Sequence, residues 1–142
     1  MLYRFMALCA LLTIVPPQNE LNDFKHVMSS LTVEQADSAV VTAIRAAGLK
    51  ISKNTRFQIE GNETGKTHIL GTKVERILST TLSVGDSTGV FIIGEELRFY
   101  RTGWMTDKRR VNERDHGENG KFWEKVVTVA KSVDSAGHAA GR

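Results

Sequence analysis

Apolar positions recur with a helical period in residues 33–47, where they return every three or four residues. This spacing puts the apolar side chains on one face of a helix. Thr32 and Gln35 form a capping box, in which the hydroxyl accepts a backbone N–H and the amide bonds back to the cap. Gly48 supplies a left-handed stop, so we predict a helix over residues 33–47.

A second helical pattern lies close to the C-terminus, over residues 121–133, and its apolar positions share one face. Asn119 stands just before it, where a helix cap is expected, because its side-chain oxygen can accept a free backbone N–H. Residues 135–142 are small and polar, and we expect them to form a flexible tail.

Between the two helices, apolar and polar residues alternate with a period of two, which predicts strands. The pattern covers residues 49–60, 67–84, 89–93 and 97–104. A short helix is the alternative for residues 67–78. Consecutive strands with short turns favour an antiparallel meander. The predicted fold class is therefore α+β, a four-stranded antiparallel meander sheet with an N-terminal and a C-terminal helix packed on one face.

The N-terminal segment has a different pattern, an apolar run of eleven residues without a charge over residues 5–15. Arg4 precedes this run and two prolines follow it. The run is shorter than the roughly 20 residues that a membrane-spanning helix needs. It indicates a signal peptide and export to the periplasm or the medium. Lipid attachment through Cys9, or a buried element of the domain, is the alternative.

The length of 142 residues is typical of one domain. We expect an apolar leader over residues 1–17, a linker over residues 18–30, a single α+β domain over residues 31–134 and a flexible tail over residues 135–142. Cys9 is the single cysteine of the chain, which excludes an intramolecular disulfide and is compatible with a bacterial periplasm.

Composition changes this picture little. Apolar residues make up 41% and charged residues 25% of the chain, as in soluble globular proteins. The net charge is +3 and the pI is about 9.2, which is mildly basic. Dedicated nucleic-acid binders carry more strongly clustered charge, so no specific nucleic-acid partner is predicted.

The segment over residues 61–67 reads Gly-Asn-Glu-Thr-Gly-Lys-Thr and resembles the Walker A loop of P-loop nucleotide hydrolases. The resemblance implies that the backbone around Gly61 and Gly65 wraps a phosphate. It further implies that Lys66 contacts phosphate and Thr67 the metal. The segment has three residues between its glycines, where the family has four. A hairpin turn rich in Gly, Asn and Thr is the other interpretation.

Basic side chains gather near aromatic ones over residues 98–114. Arginines beside aromatic rings can bind phosphates, anionic lipid head groups or single-stranded nucleic acid. The alternative is a solvated strand and loop whose basic side chains pair with neighbouring carboxylates. The candidate partner surface consists of Arg98, Arg101, Trp104, Lys108, Arg109, Arg110 and Arg114.

Together these patterns favour an exported, non-enzymatic accessory or binding protein of the cell envelope, with an unidentified protein or anionic partner. No catalytic residue, metal ligand, cofactor or transmembrane span is predicted. Two alternative functions remain, which are P-loop-like nucleotide binding through residues 61–67 and binding of an anionic surface through residues 98–114.

Overall fold

The structure is a computed structural model that describes residues 22–65 and 72–140, and the elements below lie within these ranges. The predicted leader, Cys9, Lys66 and Thr67 lie outside the described residues. The fold is α+β, as predicted, with two helices and an antiparallel sheet. The elements in chain order are β1 (Phe24–Ser29), α1 (Val33–Ala46), β2 (Lys50–Asn54), β3 (Gln58–Thr64), β4 (Lys73–Val84), β5 (Thr88–Phe99), β6 (Met105–Arg110) and α2 (Gly117–Ala140).

The sheet has six strands, so the prediction of four was wrong. Its order is β1-β5-β4-β3-β2, and every pairing is antiparallel. β6 also pairs with β5. β1 pairs with residues 88–93 of β5, and β6 pairs with residues 95–99. The two short strands therefore follow one another along the same edge of β5.

The number of strands was mispredicted because the ends of several strands depend on pairing with a neighbouring strand rather than on the local sequence pattern. The predicted linker contains β1, whose burial alternates along the strand although its sequence, Phe-Lys-His-Val-Met-Ser, does not alternate between apolar and polar residues. The predicted strand over residues 49–60 is a hairpin, because the Thr55 N–H bonds the Gln58 carbonyl and turns the chain. The polar segment over residues 105–110 forms β6, whose six residues are all exposed.

The predicted break between strands over residues 89–93 and 97–104 was also wrong, because β5 runs without interruption from Thr88 to Phe99. Gly94 lies under α2, and a Cβ atom there would come within 3.0 Å of both Phe122 and Val126. The glycine is required for this close approach of helix and strand rather than for a turn. Sequence alone does not separate these two uses of glycine.

The first helix agrees with the prediction to within one residue, since α1 ends at Ala46. The Gln35 N–H bonds the Thr32 hydroxyl over 3.2 Å, and the Thr32 N–H bonds the Gln35 side chain over 3.0 Å. Gly48 follows with a φ of 81°. Reciprocal capping and a left-handed stop thus define both ends.

The second helix is longer than predicted at both ends. Asn119 lies inside α2 and is buried, so it is not the cap that the sequence suggested. Residues 135–140 continue the helix instead of forming a tail, because Gly137 packs on β1. A Cβ atom at Gly137 would stand 2.7 Å from the Ser29 hydroxyl.

The apolar core lies between the helices and the sheet. Gly61, Leu78 and Gly94 are direct partners on β3, β4 and β5, so they form one row across the sheet. Ile44 of α1 lies against Gly61, and Phe122 of α2 lies against Gly94. Within residues 22–65 and 72–140, no helix is both long and apolar enough to cross a membrane.

Candidate functional site

The basic segment predicted from the sequence is built from the end of β5, the whole of β6 and the loop after it. On β6, Arg109 lies opposite Glu96, whereas Lys108 lies opposite Leu97. Because successive residues of a strand point to opposite faces, these two cations lie on different sides of the sheet. The seven predicted residues therefore do not form one continuous basic patch.

Four of the basic residues are held by carboxylates of the same chain. The shortest pairs join Arg98 to Glu96 over 2.7 Å and Arg109 to Asp115 over 2.9 Å. Lys108 and Arg110 make longer pairs, of 3.4 Å to Glu95 and 3.5 Å to Asp23. In the described part of the chain, no ion pair is recorded for Arg101 or Arg114.

The turn between β5 and β6 together with the first residue of β6, residues 100–105, is called the hairpin tip. Its three large apolar or aromatic side chains are exposed, with Trp104 at 75%, Tyr100 at 63% and Met105 at 55% of full exposure. The Tyr100 N–H bonds the Trp104 carbonyl and the Gly103 N–H bonds the Tyr100 carbonyl, each over 2.9 Å. The φ of 88° at Gly103 permits this tight turn. The tip thus presents aromatic surface on a hydrogen-bonded frame.

A shallow cavity of about 370 Å³ lies beside the hairpin tip. Lys73 enters its lining from β4, because it is the direct partner of Phe99 at the end of β5. The cavity brings together two exposed cations, one carboxylate and two aromatic rings. Its lining consists of Lys73, Glu75, Phe99, Tyr100, Arg101 and Gly103. Such a site can accept an anionic group next to an apolar one.

Four charged side chains of alternating sign form a row across the sheet close to the base of the hairpin. Each one lies directly opposite the next on the neighbouring strand. Sequence reasoning missed this row because its members are far apart along the chain. This charged row consists of Glu63 on β3, Arg76 on β4, Glu96 on β5 and Arg109 on β6.

The first half of α2 covers the charged row and satisfies its buried members. The Arg76 guanidinium donates to the side-chain oxygen of Asn119 over 2.6 Å, and the side-chain NH₂ of Asn119 donates to the Glu96 carboxylate. Lys125 pairs with Glu63 at the other end of the row. Arg76 is 6% exposed and Glu96 is 4% exposed. Buried charges are tolerated only when they are paired in this way.

Two members of the charged row, Glu96 and Arg109, have shifted pKa values. Burial raises the pKa of the Glu96 carboxyl, but hydrogen bonds from Asn119 and Arg98 outweigh burial and lower the pKa below its ordinary value of 4.5. The hydrogen bond to Asp115 raises the pKa of Arg109. Both groups are therefore held in their charged forms, which stabilises the attachment of β6 to β5.

Of the two glycines of the predicted phosphate loop, Gly61 lies in a strand and Gly65 directly follows that strand. Gly61 is inside β3, and a Cβ atom there would be 2.4 Å from Ile44 of α1. The Gly65 N–H bonds the Val74 carbonyl across the β3–β4 ladder. P-loop chemistry needs a helix that starts at the phosphate, but the strand β4 occupies residues 73–84, which such a helix would enter. The described residues therefore give the nucleotide-binding alternative no geometric support.

Groups of three or more side chains that could hold a metal ion are absent from the described residues. His138 bonds locally within α2, since its Nδ1 lies 2.8 Å from the Asp134 carbonyl oxygen. In comparisons with known proteins, no family model matches the chain and no curated protein matches it. The candidate site therefore rests on its own geometry, and the hairpin tip is its most exposed feature.

Proposed function

We propose that this chain is an exported, non-enzymatic binding protein of the cell envelope, and that the hairpin tip is its binding surface. One observation carries the proposal, which is the joint exposure of Tyr100, Trp104 and Met105 on a single turn. Single exposed apolar side chains are common, but clusters of them mark interaction surfaces.

The frame behind the hairpin tip supports a binding role. The ladder between β5 and β6 continues from Phe99 to Glu95, and the charged row crosses it at Glu96 and Arg109. Groups mounted on paired strands keep their geometry better than groups on an isolated loop. The aromatic side chains are therefore presented by a fixed scaffold.

Export is supported by the sequence. The uncharged apolar run over residues 5–15, with Arg4 before it and prolines after it, has the layout of a signal peptide. The partner that this proposal requires is a component of the cell envelope that offers an apolar surface next to anionic groups.

Site-specific photo-crosslinking in cells tests the proposal. In full-length chains, benzoylphenylalanine replaces Thr102 in the hairpin tip or, as a matched control, Asp86 in the exposed β4–β5 turn. We expect adducts in the envelope fraction from position 102 and none from position 86. The mass of the adduct should also show a chain shortened at its N-terminus.

Two results would contradict the proposal. In the first, the chain stays in the cytosol at full length, which removes export. In the second, positions 102 and 86 give equal yields of adduct, or neither gives any, which removes the hairpin tip as the binding surface.

A further inference from the structure

The chemistry of the hairpin tip is specific enough to indicate a class of partner. Trp and Tyr carry a polar N–H or O–H group on an apolar ring, and both are enriched where membranes meet water. Trp104 and Tyr100 stand on the same turn, and the flexible thioether of Met105 is next to them. A turn of this composition is suited to the interfacial layer of a bilayer, between the lipid head groups and the acyl chains.

The backbone of the hairpin tip suits a medium of low polarity. Peptide groups that leave water need internal partners, because an unpaired N–H or C=O group costs free energy there. The hydrogen bonds from Tyr100 to Trp104 and from Gly103 to Tyr100 provide such partners within the turn. The tip can therefore leave water with part of its backbone already paired.

Two cations stand at the base of the hairpin tip. Arg101 and Lys73 are exposed, both line the cavity beside the tip, and no ion pair is recorded for either within the described residues. Of the neighbouring carboxylates, Glu75 accepts a hydrogen bond from Asn62 over 3.2 Å, and Asp107 accepts one from the Lys108 N–H over 2.9 Å. The cavity thus offers an incoming anion two cations against one carboxylate, Glu75.

We propose that the hairpin tip binds the surface of an anionic phospholipid bilayer. Tyr100, Trp104 and Met105 enter the head-group region, while Arg101 and Lys73 contact lipid phosphates. This inference rests on the proposed function and names the partner for the same surface. Each cation near an anionic leaflet contributes roughly a fivefold gain in partitioning, and burial of the aromatic rings adds to it.

A lipid surface fits the site better than a nucleic acid does. Nucleic-acid affinity comes mainly from many phosphate contacts made by basic side chains. Here Lys108, Arg109 and Arg110 are already paired with carboxylates of the same chain. Two cations beside a protruding apolar turn are few for a nucleic-acid polymer but sufficient to orient a membrane-facing tip.

Tryptophan emission of the full chain tests the inference, because the two tryptophans differ in environment. Trp123 is buried, whereas Trp104 is exposed. Emission of the wild type minus that of Trp104→Phe isolates the signal of Trp104. We expect this signal to shift to the blue with phosphatidylglycerol vesicles and to change little with phosphatidylcholine vesicles.

Charge variants sharpen the test. Arg101→Gln should weaken partitioning onto phosphatidylglycerol vesicles about fivefold. Arg114→Gln is the matched control, since Arg114 is also exposed but follows the far end of β6, and its binding should equal that of the wild type. Added salt should weaken binding of the wild type through screening of the two cations.

Three results would overturn the inference. The first is sedimentation with vesicles without any shift of Trp104, which means that another part of the chain binds lipid. The second is a shift caused by single-stranded DNA alone, and the third is a shift caused by raising the protein concentration alone. If any of these occurs while position 102 still crosslinks to the envelope, the lipid assignment fails and the proposed function stands.

Discussion

At the scale of single residues, Glu96 is the buried carboxylate at the centre of the charged row on the helix-facing side of the sheet. It lies between Arg76 and Arg109 in the charged row and also bonds Arg98 and Asn119. Its carboxylate accepts hydrogen bonds from Arg98 on β5 and Asn119 on α2, and Asn119 accepts one from Arg76 on β4, so the network joins α2 to two strands. Networks of this kind stabilise when every member is satisfied and destabilise when one is removed.

The lowered pKa of Glu96 predicts a loss of stability in acid. The unfolded chain takes up a proton near pH 4.5, whereas the folded chain keeps the carboxylate charged to lower pH. The stabilisation that the Glu96 carboxylate contributes is therefore complete above pH 4.5 and is lost as the pH falls through the pKa of the folded state. Urea unfolding between neutral and acidic pH measures the effect.

The variant Glu96→Gln tests the same group at neutral pH. It should lower the free energy of unfolding by about 1–3 kcal/mol, because the hydrogen bonds from Arg98 and Asn119 lose their charged acceptor and Arg109 loses a neighbouring negative charge. Its stability should also fall less steeply with acidification than that of the wild type. The control Glu118→Gln removes an exposed partner of Lys121 and should cost less than about 1 kcal/mol. Equal effects of both substitutions would contradict the role given to Glu96.

At the scale of elements, the two helices are seated over glycines of the sheet. Ile44 of α1 occupies the space above Gly61, and Phe122 of α2 occupies the space above Gly94. The absence of a side chain at these two positions allows helix and strand to approach closely. The conformation of the backbone is ordinary at both, since neither glycine has a positive φ.

Gly61→Ala tests the seating of α1. The new methyl group would lie 2.4 Å from Ile44, which is fully buried, so we expect a loss of about 1–3 kcal/mol in the free energy of unfolding. Gly85→Ala is the matched control, because its nearest neighbour would be 3.8 Å away, and it should stay within about 0.5 kcal/mol of the wild type. Thermal or urea unfolding compares the two. A neutral Gly61→Ala variant would mean that α1 does not press on β3.

Local signals explain which elements were predictable. α1 was predicted almost to the residue because its period, capping box and terminal glycine all lie in one stretch of sequence. The strand count failed because β1 and β6 lack an alternating apolar pattern in the sequence, and the strand boundaries failed at Thr55 and Gly94. Asn119 is a residue type that commonly caps helices, but its side chain hydrogen-bonds Arg76 and Glu96 on two different strands.

The candidate site was predictable only in part for the same reason. The sequence identified residues 98–114 as basic and aromatic, and Trp104 and Arg101 remain at the centre of the proposed surface. It did not reveal which cations are paired within the chain, because the register between β5 and β6 decides this. Lys73 was not predicted at all, since only the pairing of β4 with β5 brings it to the hairpin.

At the scale of the whole molecule, the two ends of the sheet differ in chemistry. The end that carries the hairpin tip has exposed aromatic side chains and, within the described residues, two cations without a recorded ion pair, Arg101 and Lys73. The charged row lies behind them. The opposite end carries the turns over residues 55–57 and 85–87, where Phe57 and Val84 are exposed but neither turn contains Trp or Tyr. The hairpin tip therefore differs from the opposite end in its Trp and Tyr side chains, and the turn over residues 85–87 serves as an internal control.

Hydrogen–deuterium exchange of the full chain, alone and mixed with membrane vesicles from the cell envelope, tests most directly whether the hairpin tip is the binding surface. If it is, exchange slows over residues 100–105 on addition of the vesicles and is unchanged over residues 85–87. Unchanged exchange over residues 100–105, or slowing centred on residues 85–87, would contradict it.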